Sequence, residues 1–242
     1  MKNYFDIKNK KIIINGGSKG IGLYLYKKLE KNCDQIFSIS RSNIENKNKF
    51  KADSSNFEEI CSVFKKIYNR VGKIDCIVNV SAVTNNYNNM KKKDLYNFDK
   101  IIHNNVKSYY NTILLADKYM KRNGSIVNIT SIAAHVGLSN NYAYSASKGG
   151  IKQMSKSMSI DYYENKKIRI NNIAPGYIKT SMTRNSFLNS KRSSIIKENS
   201  IMKRWGSPND LIGPVIFLCS DASKFITGID LVVDGGFLTK GI

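Results

Sequence analysis

The sequence is poor in proline and cysteine, and it contains no long hydrophobic run. Only 3 prolines and 4 cysteines occur among its 242 residues. Cys33, Cys61, Cys76 and Cys219 are scattered, with no CxxC pair and no Cys/His cluster at metal-ligand spacing. This pattern argues against a disulfide scaffold and favours buried thiols in a reducing compartment. The sequence therefore predicts no metal site.

A membrane-spanning segment is also missing from the sequence. The longest apolar run, at 211–219, contains Gly and Pro and is too short to cross a bilayer. The amino-terminal segment MKNYFDIKNKK is charged and lacks the apolar stretch of a signal peptide. Because no repeat or low-complexity linker marks a second domain, we expect one cytoplasmic domain over 1–242 with no membrane partner.

Acidic residues are scarce, since 18 Asp and Glu stand against 39 Lys and Arg, for a net charge of +21. Such a charge is typical of proteins that bind nucleic acid, anionic membranes or acidic partners. However, 32 of the basic residues are Lys, and Asn and Ile are also abundant, which is the pattern of an AT-rich coding sequence. We therefore predict no nucleic-acid partner, although the surface attracts anionic ligands.

Short apolar runs alternate with longer amphipathic stretches along the chain. The runs predict buried strands at 11–15, 35–40, 74–79, 125–130, 168–174 and 229–233. The amphipathic stretches predict helices at 21–31, 57–70, 101–121, 143–163 and 209–218. Regular alternation of this kind predicts an α/β fold, a single-domain Rossmann-type doubly wound parallel sheet with helices on both faces. Ligands of such sheets bind at the carboxyl ends of the strands.

A glycine-rich turn follows the first predicted strand. The segment NGGSKGIG at 15–22 leads from this strand into a helix. In that context, backbone N–H groups and the helix amino terminus face a pyrophosphate, and glycine leaves room for it. The alternative is a tight turn without a ligand. The residues predicted to bind the cofactor phosphates are Gly16, Ser18, Lys19, Gly20, Ile21 and Gly22.

The end of the second strand indicates which dinucleotide binds. An acidic residue there binds the adenosine ribose of NAD, whereas a basic residue accepts the extra phosphate of NADP. This strand ends in Ile39-Ser40-Arg41-Ser42, with no carboxylate. Arg41 can bind a phosphate with two N–H groups, and Lys19 supplies a second positive charge. NADP(H) is thus favoured over NAD(H), unless Arg41 is an ordinary exposed loop residue.

Tyr144 and Lys148 stand four residues apart at the start of a long helical pattern, so both project from one face. A phenol has a pKa of about 10, and a neighbouring ammonium lowers that pKa toward neutrality. Ser131 follows the strand at 125–130, where its hydroxyl can orient a substrate carbonyl. A Tyr four residues before a Lys is weak evidence alone, because many helices contain that pair.

Together these residues resemble the short-chain dehydrogenase/reductase family over essentially the whole chain. The family's TGxxxGxG loop matches 15–22, its PG turn matches Pro175-Gly176, and its serine thirteen residues before YxxxK matches Ser131, Tyr144 and Lys148. Two positions depart from the family pattern. Asn15 replaces the threonine that opens the glycine motif, and Asn79-Val80-Ser81-Ala82 replaces the usual NNAG.

The resemblance implies an enzyme in which NADPH delivers hydride to a ketone, Ser131 holds the carbonyl oxygen and Tyr144 protonates it. It implies that Lys148 lowers the Tyr144 pKa and binds the nicotinamide ribose. Asn105, with Asn104 as the fallback, would hold a water for proton relay. The remaining cofactor contacts implied are Asp53 to adenine, Asn79 on the adenosine side, and Pro175, Gly176, Ile178 and Thr180 near the nicotinamide.

The segment at 180–205 is expected to form a lid over the site. Its apolar residues could line a substrate pocket or only pack the lid onto the body: Met182, Phe187, Leu188, Ile195, Ile196, Met202 and Trp205. Its basic residues would suit an anionic substrate: Lys191, Arg192, Lys197, Lys203 and Arg204.

Two substrate classes and one non-enzymatic function remain open. Family members that reduce 3-oxoacyl groups on an acidic acyl carrier protein are the favoured comparison, with Lys121 and Arg122 as candidate docking residues. Members acting on sugars, polyols or gluconate, including surface-glycan reductases, are the alternative. A dinucleotide-binding sensor without catalysis is the third possibility. By the same resemblance, we expect a homotetramer.

Overall fold

The computed structural model describes residues 3–84 and 92–240 and contains one seven-stranded sheet, in the order β3-β2-β1-β4-β5-β6-β7. Every neighbouring pair is parallel. The strands are β1 Lys11–Asn15, β2 Gln35–Ser40, β3 Lys49–Lys51, β4 Ile74–Asn79, β5 Met120–Ile129, β6 Arg169–Pro175 and β7 Asp230–Val233. This order confirms the predicted doubly wound sheet.

Helices cover both faces of the sheet. They are α1 Gly20–Leu29, α2 Phe57–Val71, α3 Lys92–Ile102, α4 Ser108–Tyr119, α5 Tyr142–Lys166, α6 Arg184–Leu188, α7 Ser190–Asn199 and α8 Ile212–Cys219. Alternate strand residues enter different apolar clusters: Ile12 and Ile14 pack with α1 and α8, whereas Ile13 packs with α2 and α4. A strand buried on both faces needs the continuous apolar runs seen in this sequence.

A row of asparagines crosses the sheet near its carboxyl edge. Asn15, Asn79, Asn128 and Asn172 are register partners on β1, β4, β5 and β6. Asn15 donates its amide N–H to Asn79 (3.2 Å), and Asn79 donates to Asn128 (2.8 Å). Asn128 in turn donates to Ser155 on α5 (2.9 Å). Because Asn15, Asn79 and Asn128 are fully buried, these bonds replace their lost contacts with water.

Several elements differ from the sequence prediction. The helix predicted at 209–218 begins as a 3₁₀ turn, Pro208–Leu211, so that α8 starts at Ile212. The helix predicted at 101–121 is divided by a π-helical segment, His103–Lys107, between α3 and α4. The short edge strand β3 was not predicted, because three residues show no periodicity. β5 begins at Met120 rather than 125, through an irregular stretch with a register shift opposite Ile74 and Cys76.

The cysteines are unpaired, and Cys33, Cys76 and Cys219 are buried as expected. Within residues 3–84 and 92–240, no three His, Cys, Asp or Glu side chains lie in a group able to hold a metal ion. Over the same residues, no helix combines the length and the apolar character needed to cross a bilayer.

Candidate active site

A cleft of about 620 Å³ opens at the carboxyl ends of the strands. It runs from the glycine turn after β1 to the first turns of α5. All the predicted site residues except Asn79 line this one cleft, namely Gly16, Ser18, Lys19, Gly20, Ile21, Gly22, Arg41, Asp53, Asn105, Ser131, Tyr144, Lys148, Pro175, Gly176, Ile178 and Thr180. Residues distant in sequence therefore meet where a parallel sheet binds its ligands.

The glycine turn needs glycine for backbone reasons. Gly16 has φ +99°, and a Cβ there would lie 2.5 Å from the backbone nitrogen of Ser81. A Cβ on Gly22 would collide with the carbonyl oxygen of Gly16. Lys19 stands in extended conformation just before α1. The free N–H groups of the first turn of α1 therefore face the cleft, as phosphate binding requires.

Arg41 lies at the rim of the cleft with its side chain about half exposed. Its guanidinium Nη1 lies 3.7 Å from the Asp53 carboxylate and donates a hydrogen bond to Asn104 (3.3 Å). Asp53 is held by Ser55, whose backbone N–H (2.9 Å) and hydroxyl (2.7 Å) both donate to it. The pair thus places one cation and one anion where the adenosine end of a dinucleotide would lie.

Asn79 lies beneath the cleft rather than in it. Its Oδ1 accepts hydrogen bonds from Asn15 (3.2 Å) and Thr112 (2.8 Å), and its amide donates to Asn128 (2.8 Å). The side chain is fully buried and is not among the residues that line the cleft. The predicted contact of Asn79 with the adenosine side of the cofactor stays a prediction. Asn79 supports the floor of the cleft.

Ser131, Tyr144 and Lys148 converge at the inner end of the cleft. Ser131 begins a short 3₁₀ turn, in which its Oγ accepts a hydrogen bond from the N–H of Ala133 (3.1 Å). Tyr144 and Lys148 project from the first turns of α5, with the Lys148 Nζ 5.8 Å from the centre of the Tyr144 ring. Lys148 also donates a hydrogen bond to the Ile129 carbonyl (2.8 Å).

Burial shifts the pKa of both titratable groups in this cluster. It raises the pKa of Tyr144 above its usual value, while a hydrogen bond with Ser131 acts in the opposite direction. It lowers the pKa of Lys148 to about 7. Desolvation disfavours the charged form of each group, so burial dominates the Tyr144 pKa here, and its lowering by Lys148 stays a prediction.

Asn105 lies inside the π-helical segment and is fully buried. Its Oδ1 accepts from the Val83 N–H (2.8 Å), and its amide donates to the Val83 carbonyl (3.0 Å) and to Ser147 on α5 (3.0 Å). Asn105 therefore ties the loop after β4 to the helix that carries Tyr144 and Lys148. Single π-helical turns are frequent at functional sites, because they reorient one residue within a helix.

A cluster behind Ser131 fixes the turn in which it lies. His135 pairs with the Asp230 carboxylate on β7, and its Nδ1 lies 3.0 Å from Lys152 on α5. Thr130 donates a hydrogen bond to the same carboxylate (3.2 Å). The residues before and after Ser131 are thus held by one mostly buried anion. Sequence reasoning missed this cluster, because its members belong to no spaced motif.

The lid segment packs mainly through its aromatic residues. The buried Trp205 ring contacts Tyr177 and Phe187, with centroids 5.5 and 5.4 Å away, and donates to Ser193 (2.9 Å). Of the apolar residues predicted for a substrate pocket, only Met182 lines the cleft. The packing interpretation is therefore correct for Trp205 and Phe187.

The basic candidates lie outside the cleft. Lys191, Arg192 and Lys197 are exposed on α7, and Arg204 is paired with Asp210 (2.9 Å). Lys121 and Arg122 lie near the amino end of β5, a full strand length from the cleft. Lys121 pairs with Asp75 (2.8 Å). By contrast, α7 belongs to the lid segment, whose residues 180–183 line the cleft.

A family model, two relatives and a solved structure are each similar to this chain over nearly its whole length. A family model described as Enoyl-(Acyl carrier protein) reductase matches residues 17–238. A 3-oxoacyl-[acyl-carrier-protein] reductase of Chlamydia pneumoniae is 32% identical over 242 residues, covering 94% of this chain and 96% of that protein. The 5-keto-D-gluconate 5-reductase of Escherichia coli strain K12 is 29% identical over 258 residues, covering 98% and 99%. The structure of a ligand-free aldohexose dehydrogenase from Thermoplasma acidophilum has a TM-score of 0.88 at 28% identity, covering 98% and 96%.

Proposed function

This chain belongs to the short-chain dehydrogenase/reductase family, and from that premise we propose that it is an NADP(H)-dependent oxidoreductase interconverting a ketone and a secondary alcohol. One observation carries the proposal. Ser131, Tyr144 and Lys148 line the same cleft as the glycine turn, although they come from separate segments of the chain. A hydroxyl, a phenol and an amine thus lie within one ligand-binding space.

Each group has a distinct role in this proposal. The Ser131 hydroxyl donates to the carbonyl oxygen and orients the ketone. Tyr144 then protonates that oxygen, and its raised pKa keeps the phenol protonated at neutral pH, as a proton donor must be. Lys148, with a pKa of about 7, gains or loses a proton near the working pH. The nicotinamide cofactor, when bound, supplies the hydride.

The proposed cofactor site uses the residues along the cleft from the glycine turn to the turn after β6. Free N–H groups at the start of α1 would bind the pyrophosphate. Arg41 and Lys19 supply two positive charges at the adenosine end, which supports NADP(H) over NAD(H). Pro175, Gly176 and their neighbours Ile178 and Thr180 would contact the nicotinamide.

The test of the reaction is to replace Tyr144 with Phe. We expect Tyr144→Phe to lose at least a hundredfold in kcat for NADPH-dependent ketone reduction, because the proton donor is removed. NADPH affinity, measured by fluorescence titration, should change little. Tyr142→Phe is the matched control, since Tyr142 is on the same helix but does not line the cleft.

Two outcomes would contradict the proposal. If Tyr144→Phe keeps full activity, Tyr144 is not the proton donor. If the unmodified protein binds NADPH but oxidises it with neither β-ketoacyl thioesters nor keto sugars, the protein is a dinucleotide sensor instead.

We propose a 3-oxoacyl group on an acyl carrier protein as the first substrate class to examine. The relative from Chlamydia pneumoniae carries that activity in its name and shares 32% of its residues with this chain. The lid at 180–205 also supports it, because its residues 180–183 line the cleft and Lys191 and Arg192 expose positive charge on α7 of the same segment. An acidic carrier protein would be attracted there. Sugar or polyol substrates are the alternative, given the Escherichia coli relative.

Charge reversal distinguishes these substrates. We expect Lys191→Glu with Arg192→Glu to raise KM for a carrier-bound substrate about tenfold or more, and to leave a neutral N-acetylcysteamine thioester unaffected. Lys65→Glu with Lys66→Glu on α2 is the control, since these exposed lysines are not in the cleft. If Lys121→Glu with Arg122→Glu has the effect instead, the carrier docks at the far end of β5. If only keto sugars are reduced, the carrier proposal is wrong.

We also propose a homotetramer, in line with the family resemblance. Tyr110 and Leu114 on α4, and Ile160 and Tyr163 on α5, are exposed apolar side chains at helical spacing. Exposed apolar faces of this kind are typical of interfaces between subunits. Light scattering coupled to gel filtration should give four times the 27.4 kDa chain mass, and a monomer would contradict the proposal.

A further inference from the structure

Tyr109 on α4 lies directly beneath Lys148, although it does not line the cleft. It is fully buried, and its hydroxyl donates a hydrogen bond to the Ile129 carbonyl (2.8 Å). Lys148 Nζ donates to the same carbonyl (2.8 Å) and approaches the Tyr109 oxygen at 3.4 Å. The three groups form a triangle between α4, β5 and α5.

The direction of these hydrogen bonds restricts what Tyr109 can do. A phenol has one proton, and here that proton is committed to Ile129. The Tyr109 oxygen can therefore only accept from Lys148, and an acceptor stabilises the ammonium form of a lysine. An ammonium has three N–H groups. With two directed to Ile129 and Tyr109, one remains for the cleft that Lys148 lines.

We propose that Tyr109 is a positioning residue, which holds Lys148 protonated and oriented so that one N–H remains directed to the cleft. The effect of Tyr109 on catalysis rests on the proposed function, whereas its effect on the protonation of Lys148 does not. Its burial supports it, because a fully buried hydroxyl is costly unless it has hydrogen-bond partners, and those of Tyr109 are Ile129 and Lys148.

Two hydrogen-bond acceptors beside Lys148 favour its charged form against burial, the Tyr109 hydroxyl and the Ile129 carbonyl. Titratable groups face Lys148 from two elements: Tyr109 from α4 and Tyr144 from α5 itself. β5 contributes the Ile129 carbonyl. Desolvation is the cause of the lowered Lys148 pKa, and in residues 3–84 and 92–240 no charged side chain contributes to the shift. Removing the Tyr109 hydroxyl should therefore move this pKa further down.

The experiment compares Tyr109→Phe with the unmodified protein and with Tyr119→Phe. Tyr119 is a second buried tyrosine on α4, but its ring packs against Phe64 and Tyr68, away from Lys148. The Lys148 pKa is measured in the cofactor-free protein by NMR of ¹³C-labelled lysine. The resonance is assigned by its loss in Lys148→Met. The pH profile of kcat for ketone reduction is measured in parallel.

For Tyr109→Phe, we expect the Lys148 pKa to fall by roughly one unit, the effect of losing one hydrogen bond to a charged group. The basic limb of the kcat profile should move by the same amount. Lowering the pH by one unit should then restore the lost activity, which a packing defect alone would not allow. Tyr119→Phe should change neither pKa nor profile.

The inference is overturned if Tyr109→Phe leaves the Lys148 pKa and the kcat profile unchanged, or lowers kcat equally at every pH. The two proposals can fail separately. If the Lys148 pKa falls as expected while the unmodified protein reduces no carbonyl compound, Tyr109 still positions Lys148, and only the proposed reaction is wrong.

Discussion

Lys148 is fully buried at the base of the cleft, where burial lowers its pKa to about 7. The ordinary pKa of a lysine is 10.5. Between these two values, the unfolded chain binds a proton that the folded protein does not. Folding stability then increases with pH, because the unfolded state binds more protons. Below about pH 7 both states are charged, and the folded protein carries the whole cost of burying the ammonium.

We predict that Lys148→Met is stabilised relative to the unmodified protein at about pH 6, and that this difference shrinks toward pH 10. The gain at low pH could reach several kcal/mol, since each pKa unit corresponds to about 1.4 kcal/mol. Urea denaturation of both proteins across this range measures the difference. A difference that stays constant with pH would show that Lys148 does not titrate with folding.

Arg41 tests the cofactor assignment. We predict that Arg41→Ala lowers the preference for NADPH over NADH in kcat/KM roughly tenfold to a hundredfold, because a charge-assisted hydrogen bond to the extra phosphate is lost. Arg70→Ala is the control, since Arg70 binds the Lys47 carbonyl and lies outside the cleft. An unchanged preference in Arg41→Ala would contradict the prediction that Arg41, at the end of β2, binds the extra phosphate of NADPH.

At the residue scale, the sequence was informative where chemistry follows a fixed spacing. The sequence could select Tyr144 and Lys148 because they stand one helical turn apart on α5. It could select Ser131 because that residue follows a strand end. Tyr109 could not be selected, since its role depends on three elements meeting. The pKa directions were also beyond the sequence, because they depend on burial rather than on which charges lie near in the chain.

The π-helical segment between α3 and α4 is the element that most affects the site. It places Asn105 inward against Val83 and Ser147. The sequence pattern predicted one continuous helix at 101–121, because a single inserted turn hardly changes apolar periodicity. Strand bounds were predicted better: β1, β2 and β4 begin and end at the expected residues, since continuous apolar runs flanked by polar residues define them.

Replacing either of two glycines with alanine should change the stability of the protein, but in opposite directions. Gly22→Ala should destabilise the protein and weaken NADPH binding, because the new Cβ would collide with the Gly16 carbonyl. Gly149→Ala in α5 should stabilise it by about 0.5–1 kcal/mol, because a Cβ there meets no described atom within 4 Å and alanine favours the helix. Thermal melts and NADPH titration test both. Equal effects of the two substitutions would contradict this account.

The whole molecule carries a net charge of +21, and a charge of this size destabilises a compact state through self-repulsion. Raising NaCl from about 10 to about 150 mM shortens the screening length from roughly 30 to 8 Å. We predict that the melting temperature increases by a few degrees over this range. A melting temperature that is flat or decreases would mean that the ion pairs offset the repulsion.

The asparagine row gives the sheet a means of rejecting misaligned pairing. Slipping any central strand by one residue would turn its asparagine into the opposite apolar layer, away from the neighbouring amides. A mispaired chain would lose the amide network and the hydrophobic contacts together. Accurate strand alignment during folding is thereby enforced at the very edge where the reacting groups assemble, so a chain that folds at all folds with its chemistry in place.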